Sequence, residues 1–165
     1  MIVAIIGHRK MQNTDKVVNR ICEVVTDLIE NEGANTFLFG NKGEFDRLCF
    51  IVVTQMQKKY SHIKTVYVRA ECEEIDKLFE ESLLKKYDET YFPEKVHNSH
   101  KLCYVVRNGV MIDLCDVLLT YCDSNYQLPQ KRTKNAESKP PKSGAQMAVQ
   151  IAKRRKKRII NLFEE

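Results

Sequence analysis

Three short glycine-bearing turns collect the residues of this chain best suited to chemistry on an anion. The first is Gly7-His8-Arg9-Lys10. The second is Gly40-Asn41-Lys42-Gly43-Glu44-Phe45-Asp46. The third is Lys142-Ser143-Gly144-Ala145. Glycine lets a backbone approach a ligand closely, and a helix that follows such a turn presents unpaired N–H groups to negative charge. None of the turns reads G-x-G-x-x-G, and the chain has no G-x-x-x-x-G-K-[ST], so the standard dinucleotide and P-loop motifs are absent. His8 suits a general base, a phosphate donor or a structural hydrogen-bonder. Asp46 suits a ribose hydroxyl, a helix cap or an ion pair with Arg9, and Asp123 suits a ribose hydroxyl. Arg107, followed by Asn108, sits within a helical pattern flanked by Val and Met. A half-buried guanidinium wants a carboxylate or phosphate, and Asp113 and Asp116 nearby are candidate carboxylates.

The elements that must position these residues alternate along the chain. Ile2 to Ile6 is a continuous apolar run, the pattern of a strand buried on both faces. Further strands are expected at 36–39, 65–68, 89–92, 117–121 and 158–162. Helical periodicity is expected at 15–32, 44–60, 75–87, 99–115 and 144–156, with Thr14 or Asp15 starting the first helix and Gly33 stopping it. Strands alternating with helices imply an α/β fold, a Rossmann-like three-layer sandwich with a mainly parallel sheet, over one domain spanning 1–165. In such sheets ligands bind beyond the carboxyl ends of the strands, where all three turns fall. Residues 126–142 lack apolar periodicity and are expected to be a mobile basic loop, either a lid or a surface insertion.

Composition narrows the classes. The chain has 165 residues, 43% hydrophobic and 30% charged, an ordinary globular balance. No apolar run is long enough for a membrane helix, and Met1 to Ile6 lacks the marks of a signal peptide. Six cysteines without a C-x-x-C pair read as free thiols in a reducing cytosol, with no metal site. The net charge is +5, yet residues 126–158 hold eleven Lys or Arg and a single acid, so the remainder is net acidic. The run Lys153-Arg154-Arg155-Lys156-Lys157-Arg158 suits either the solvated end of a helix or a phosphate-bearing partner. Only Tyr126 accompanies these charges as an aromatic, which disfavours a single-stranded DNA surface.

The order of these motifs resembles the SLOG superfamily over nearly the whole chain. The resemblance rests on Gly7-His8-Arg9, Gly40-x-x-Gly43-x-Phe45-Asp46, Arg107-Asn108-x-x-Met111-Ile112-Asp113-x-x-Asp116, Ser143-Gly144-Ala145 and Ile159-Ile160-Asn161-Leu162. That Rossmann-like group includes the LOG phosphoribohydrolases and the Smf/DprA DNA-processing proteins. The small stand-alone bacterial branch that opens on Gly-His-Arg is the most similar. LOG enzymes carry an Arg-Lys pair on a helix and a Pro-Gly-Gly-x-Gly-Thr-x-x-Glu loop. Arg107-Asn108 resembles the pair, and Gly144 to Ala148 falls on the loop, with Ala148 at the acid's position. Alanine supplies no carboxylate for glycosidic hydrolysis. The resemblance therefore implies a nucleotide-binding or sensing module without a cofactor. The expected phosphate- and ligand-binding residues are Gly7, His8, Arg9, Gly40, Asn41, Gly43, Asp46, Arg107, Asn108, Asp123, Ser143 and Gly144. A hydrolase using Glu44 or Asp46 is the alternative, and a homodimer is implied by LOG relatives.

Overall fold

The computed structural model describes residues 1–12, 14–71, 74–97, 102–128 and 141–163. The strands are β1 (Ile2–Ile5), β2 (Thr36–Phe39), β3 (Lys64–Val68), β4 (Glu89–Tyr91), β5 (Val117–Thr120) and β6 (Arg158–Asn161). The helices are α1 (Thr14–Glu30), α2 (Glu44–Gln57), α3 (Lys77–Leu84), α4 (Cys103–Leu114) and α5 (Gly144–Arg154). The strands form one sheet in the order β4-β3-β2-β1-β5-β6, with every pairing parallel. The architecture is a Rossmann-like three-layer sandwich.

Alternation along each strand builds two cores. Val3, Ile5, Phe37, Phe39 and Leu119 face one side and pack with Ile21, Val25 and Leu28 of α1 and Phe45, Cys49 and Val53 of α2. Ala4, Ile6, Leu38, Val66 and Leu118 face the other and pack with Met111 and Ile112 of α4 and Ala148 and Ala152 of α5. Burial on both faces is why the strands read as unbroken apolar runs.

Helix ends follow local chemistry. Asp76 caps α3 by accepting from Phe79 N–H, which starts that helix later than the apolar period alone suggests. Gly33, at φ 72°, turns the chain after α1, and Ala34 N–H returns to Leu28 O. Lys157 Nζ donates to the carbonyls of Asp113 and Cys115 at the end of α4, where a cation complements the helix dipole. Among the described residues no helix is long and apolar enough to cross a membrane. The expected lid falls mostly on residues 129–140, outside the described residues.

Candidate functional site

The chain winds outward in both directions from β1, whose neighbours are β2 and β5. This is the point at which parallel sheets open a crevice beyond the strand ends. A cavity of about 380 Å³ lies there, at the small end of the usual range for small-molecule sites. It is lined by the turn after β1, the turn after β2, the first half of α4 and the start of α5.

The β1 turn packs against the start of α2. A Cβ on Gly7 would lie 2.4 Å from the Phe45 ring, so only glycine fits. His8 is 6% exposed. Its backbone N–H donates to Tyr121 O at 3.0 Å, and its Nε2 accepts from Asp123 N–H at 2.9 Å. These two bonds tie the β1 turn to the end of β5. Burial is the largest influence on the His8 ring and lowers its pKa, while the Asp123 backbone and the Asp123 charge act in the opposite direction.

The β2 turn is braced from within. Asp46, on the first turn of α2, accepts from Gly40 N–H and Asn41 N–H, both at 3.1 Å. These amides are therefore committed inside the protein. Burial pushes the Asp46 carboxyl up to about 6, against the opposing pull of the Gly40 bond and the Arg107 charge. Arg107 crosses above the turn. Its Nη1 donates to Gly40 O at 2.8 Å and Val68 O at 2.9 Å, and its Nε donates to Asn108 Oδ1 at 2.9 Å. The residue is 3% exposed and lines the cavity, and Nη2 has no acceptor among the described residues. A buried guanidinium with an open nitrogen can donate to an anion.

The third wall is the start of α5. Ser143 Oγ accepts from Gln146 N–H, while Gln146 Oε1 accepts from Ser143 N–H, a complete capping box. Gln146 Nε2 also donates to the carbonyls of Asp123, Ser124 and Tyr126, which pins the loop after β5 to the helix. The N–H groups of Gly144 and Ala145 have no acceptor among the described residues, and both residues line the cavity. At a helix N-terminus such amides favour a bound anion.

Nine of the twelve expected residues line the cavity: Gly7, His8, Arg9, Gly40, Asp46, Arg107, Asn108, Ser143 and Gly144. Asn41, Gly43 and Asp123 do not. Asn41 takes a left-handed φ of 53° and donates to Asp46. Gly43, at φ 102°, precedes α2, and a Cβ there would lie 2.7 Å from the Arg9 Cα. Asp123 Oδ1 accepts from Asn125 N–H, a local turn bond. Asp46 braces the β2 turn and makes no ion pair with Arg9. The proposed partners of Arg107 are also corrected. Asp113 pairs with Arg155 at 3.1 Å and Lys95 at 3.8 Å, and Asp116 accepts from Ile2 N–H at 2.7 Å. Glu44 accepts from Met11 N–H at 3.1 Å and does not line the cavity. Ala148 is buried in the core under α5.

Sequence reasoning missed Tyr104 on the rim and left Lys42 and Tyr126 out of the expected ligand set. Tyr104 and Lys42 line one side: Lys42 Nζ lies 5.0 Å above the Tyr104 ring and pairs with Glu71 at 2.7 Å, and Tyr104 Oη also bonds Glu71. Tyr126 lines the other side and packs on His8 with ring centroids 4.5 Å apart. Tyr104 stands one helical turn before Arg107, the only signal that would have found it. Among the described residues no group of His, Cys, Asp or Glu is arranged to hold a metal ion. The chain matches no known protein-family model and no curated protein.

Proposed function

We propose that this protein binds a nucleotide or nucleotide-derived, phosphate-containing ligand in the β1/β2/β5 cavity and acts as a sensor or binding module. One observation carries the reading: the groups left without partners at the cavity are hydrogen-bond donors. Arg107 and the Gly144 and Ala145 turn line one space, with Arg9 adding positive charge there and Lys42, paired with Glu71, at its rim. Such a set recognises an anion with several acceptor oxygens. Tyr104 and Tyr126 at the rim offer aromatic faces on which a nucleobase can stack. The SLOG resemblance supports the same ligand class.

A single-stranded DNA role gains little from the basic run. Arg155 is paired with Asp113, Arg158 with Glu32, and Lys157 with two carbonyls. Phosphates would have to compete for half of those charges. The hydrolase reading retains one acid, since Asp46 lines the cavity and its raised carboxyl suits proton transfer near neutral pH. Release of free base from a nucleoside monophosphate, abolished in Asp46→Asn, would favour it.

The test is calorimetric titration with a panel of nucleotides, preceded by mass spectrometry of small molecules released on acid denaturation. Gly144→Asp is the decisive variant. Nothing lies within 4 Å of a Cβ there, and an acid favours a helix N-terminus, so the fold is expected to hold. Binding is expected to fall at least tenfold because a carboxylate then occupies the anion position. Arg107→Ala is expected to weaken binding as well. Unchanged affinity in both variants refutes the site.

A further inference from the structure

We propose that His8 is a specificity-determining residue of this site: its imidazole is locked as the neutral Nδ1–H tautomer and donates to an acceptor oxygen of the bound ligand. The inference rests on the ligand-binding reading above. It starts from the partner of Nε2. A backbone amide can only donate, so the 2.9 Å contact from Asp123 N–H requires a lone pair on Nε2. The ring proton of a neutral imidazole must then sit on Nδ1.

The ring is held in place on several sides. Tyr126 covers it at 4.5 Å, and Tyr121 meets it edge-on at 6.4 Å. Its own backbone N–H is fixed to Tyr121 O. The residue is 6% exposed and lines the cavity, yet Nδ1–H has no acceptor among the described residues. His8 Nδ1 is not one of the fully enclosed polar atoms left without a partner, so the donor opens onto the cavity, where an acceptor oxygen of the ligand can meet it. Protonation does not supply an easy escape. A second ring proton would confront the Asp123 amide, and burial already disfavours the charged ring. The same lock removes His8 as a general base, because Nδ1 already carries its proton and Nε2 is occupied. The ligand group facing His8 must accept a hydrogen bond. An amino group there would meet a donor and be rejected.

Two measurements test this. Nitrogen-15 spectra of imidazole-labelled protein at neutral pH are expected to show a protonated Nδ1 and a pyridine-like Nε2 at His8. The opposite tautomer or a charged ring overturns the proposal. The second measurement titrates adenosine 5′-monophosphate and inorganic phosphate into wild-type protein and His8→Gln. The Gln side-chain oxygen still accepts from Asp123 N–H, while the Nδ1–H donor is lost. Thermal stability is expected to stay close to wild type and nucleotide affinity to fall about tenfold. A parallel loss for inorganic phosphate assigns the acceptor to a phosphate oxygen. A loss confined to the nucleotide assigns it to ribose or base. If wild type binds nucleotide and His8→Gln binds equally well, His8 is only a strut and this inference fails alone. If wild type binds no nucleotide, the function proposed above fails and this one falls with it.

Discussion

Gly40→Ala isolates the close approach that holds the Arg107 guanidinium in place. Gly40 does not adopt a left-handed φ, so alanine meets no backbone penalty there. The obstacle is Arg107: an added Cβ would lie 2.5 Å from Cζ, Nη1 and Nη2 together, through the face of the guanidinium. That group is planar and tied by Nη1 to Gly40 O and Val68 O and by Nε to Asn108. Relief requires it to leave its site. Hydrogen bonds from a charged donor contribute about 1.5–3 kcal/mol each, so losing both Nη1 bonds is worth about 3–6 kcal/mol. Partial relaxation brings the expected destabilisation to about 2–4 kcal/mol. Urea denaturation of wild type, Gly40→Ala, Arg107→Ala and the double variant gives the cycle. In the Arg107→Ala background the added methyl has no guanidinium to strike, and its cost is expected to fall below about 0.5 kcal/mol. An equal cost in both backgrounds refutes the argument, because the penalty would then come from something other than Arg107.

Asp46 sets a pH dependence. Its folded-state pKa of about 6 exceeds the ordinary 3.8, so the folded protein binds that proton more tightly than the unfolded chain. The group's favourable contribution is full below pH 3.8 and is lost as pH rises through 6, a difference of up to about 3 kcal/mol. Asp46→Asn cannot titrate, so stability measured from pH 4 to 7 is expected to fall less with rising pH in that variant than in wild type; parallel curves would disprove the assignment. Gly109 lies inside α4 with open space around its Cβ position, so Gly109→Ala is expected to stabilise the protein by about 0.5–1 kcal/mol in a urea titration, and a loss would show that the helix face is closed.

Four glycines show where sequence reasoning stops. Gly7, Gly40, Gly43 and Gly144 all read as members of anion-binding turns. In the fold, Gly7 makes room for Phe45 and Gly40 for Arg107. Gly43 supplies a left-handed φ against Arg9, and Gly144 is sterically open. Spacing cannot separate these cases, because in the first two the atom that decides belongs to a side chain on another element. Asp46 makes the same point within a shorter stretch. It lies in the right motif, yet both of its oxygens accept amides of the turn before it.

The sequence by itself determined the α/β class, the six strands and the placement of the glycine turns at strand ends. These are local matters: period 2 against period 3.6, apolar runs for strands buried on both faces, and caps such as Ser143. Tertiary structure alone decided that Arg107 reaches back 67 residues to Gly40 O, and that Asp123 N–H dictates the proton of His8. It alone assembled Lys42, Glu71 and Tyr104 into one rim. Hydrogen bonding and charge act over a few ångströms of space and carry no imprint on chain separation, so the partners appear only once the parallel sheet has brought its strand ends together.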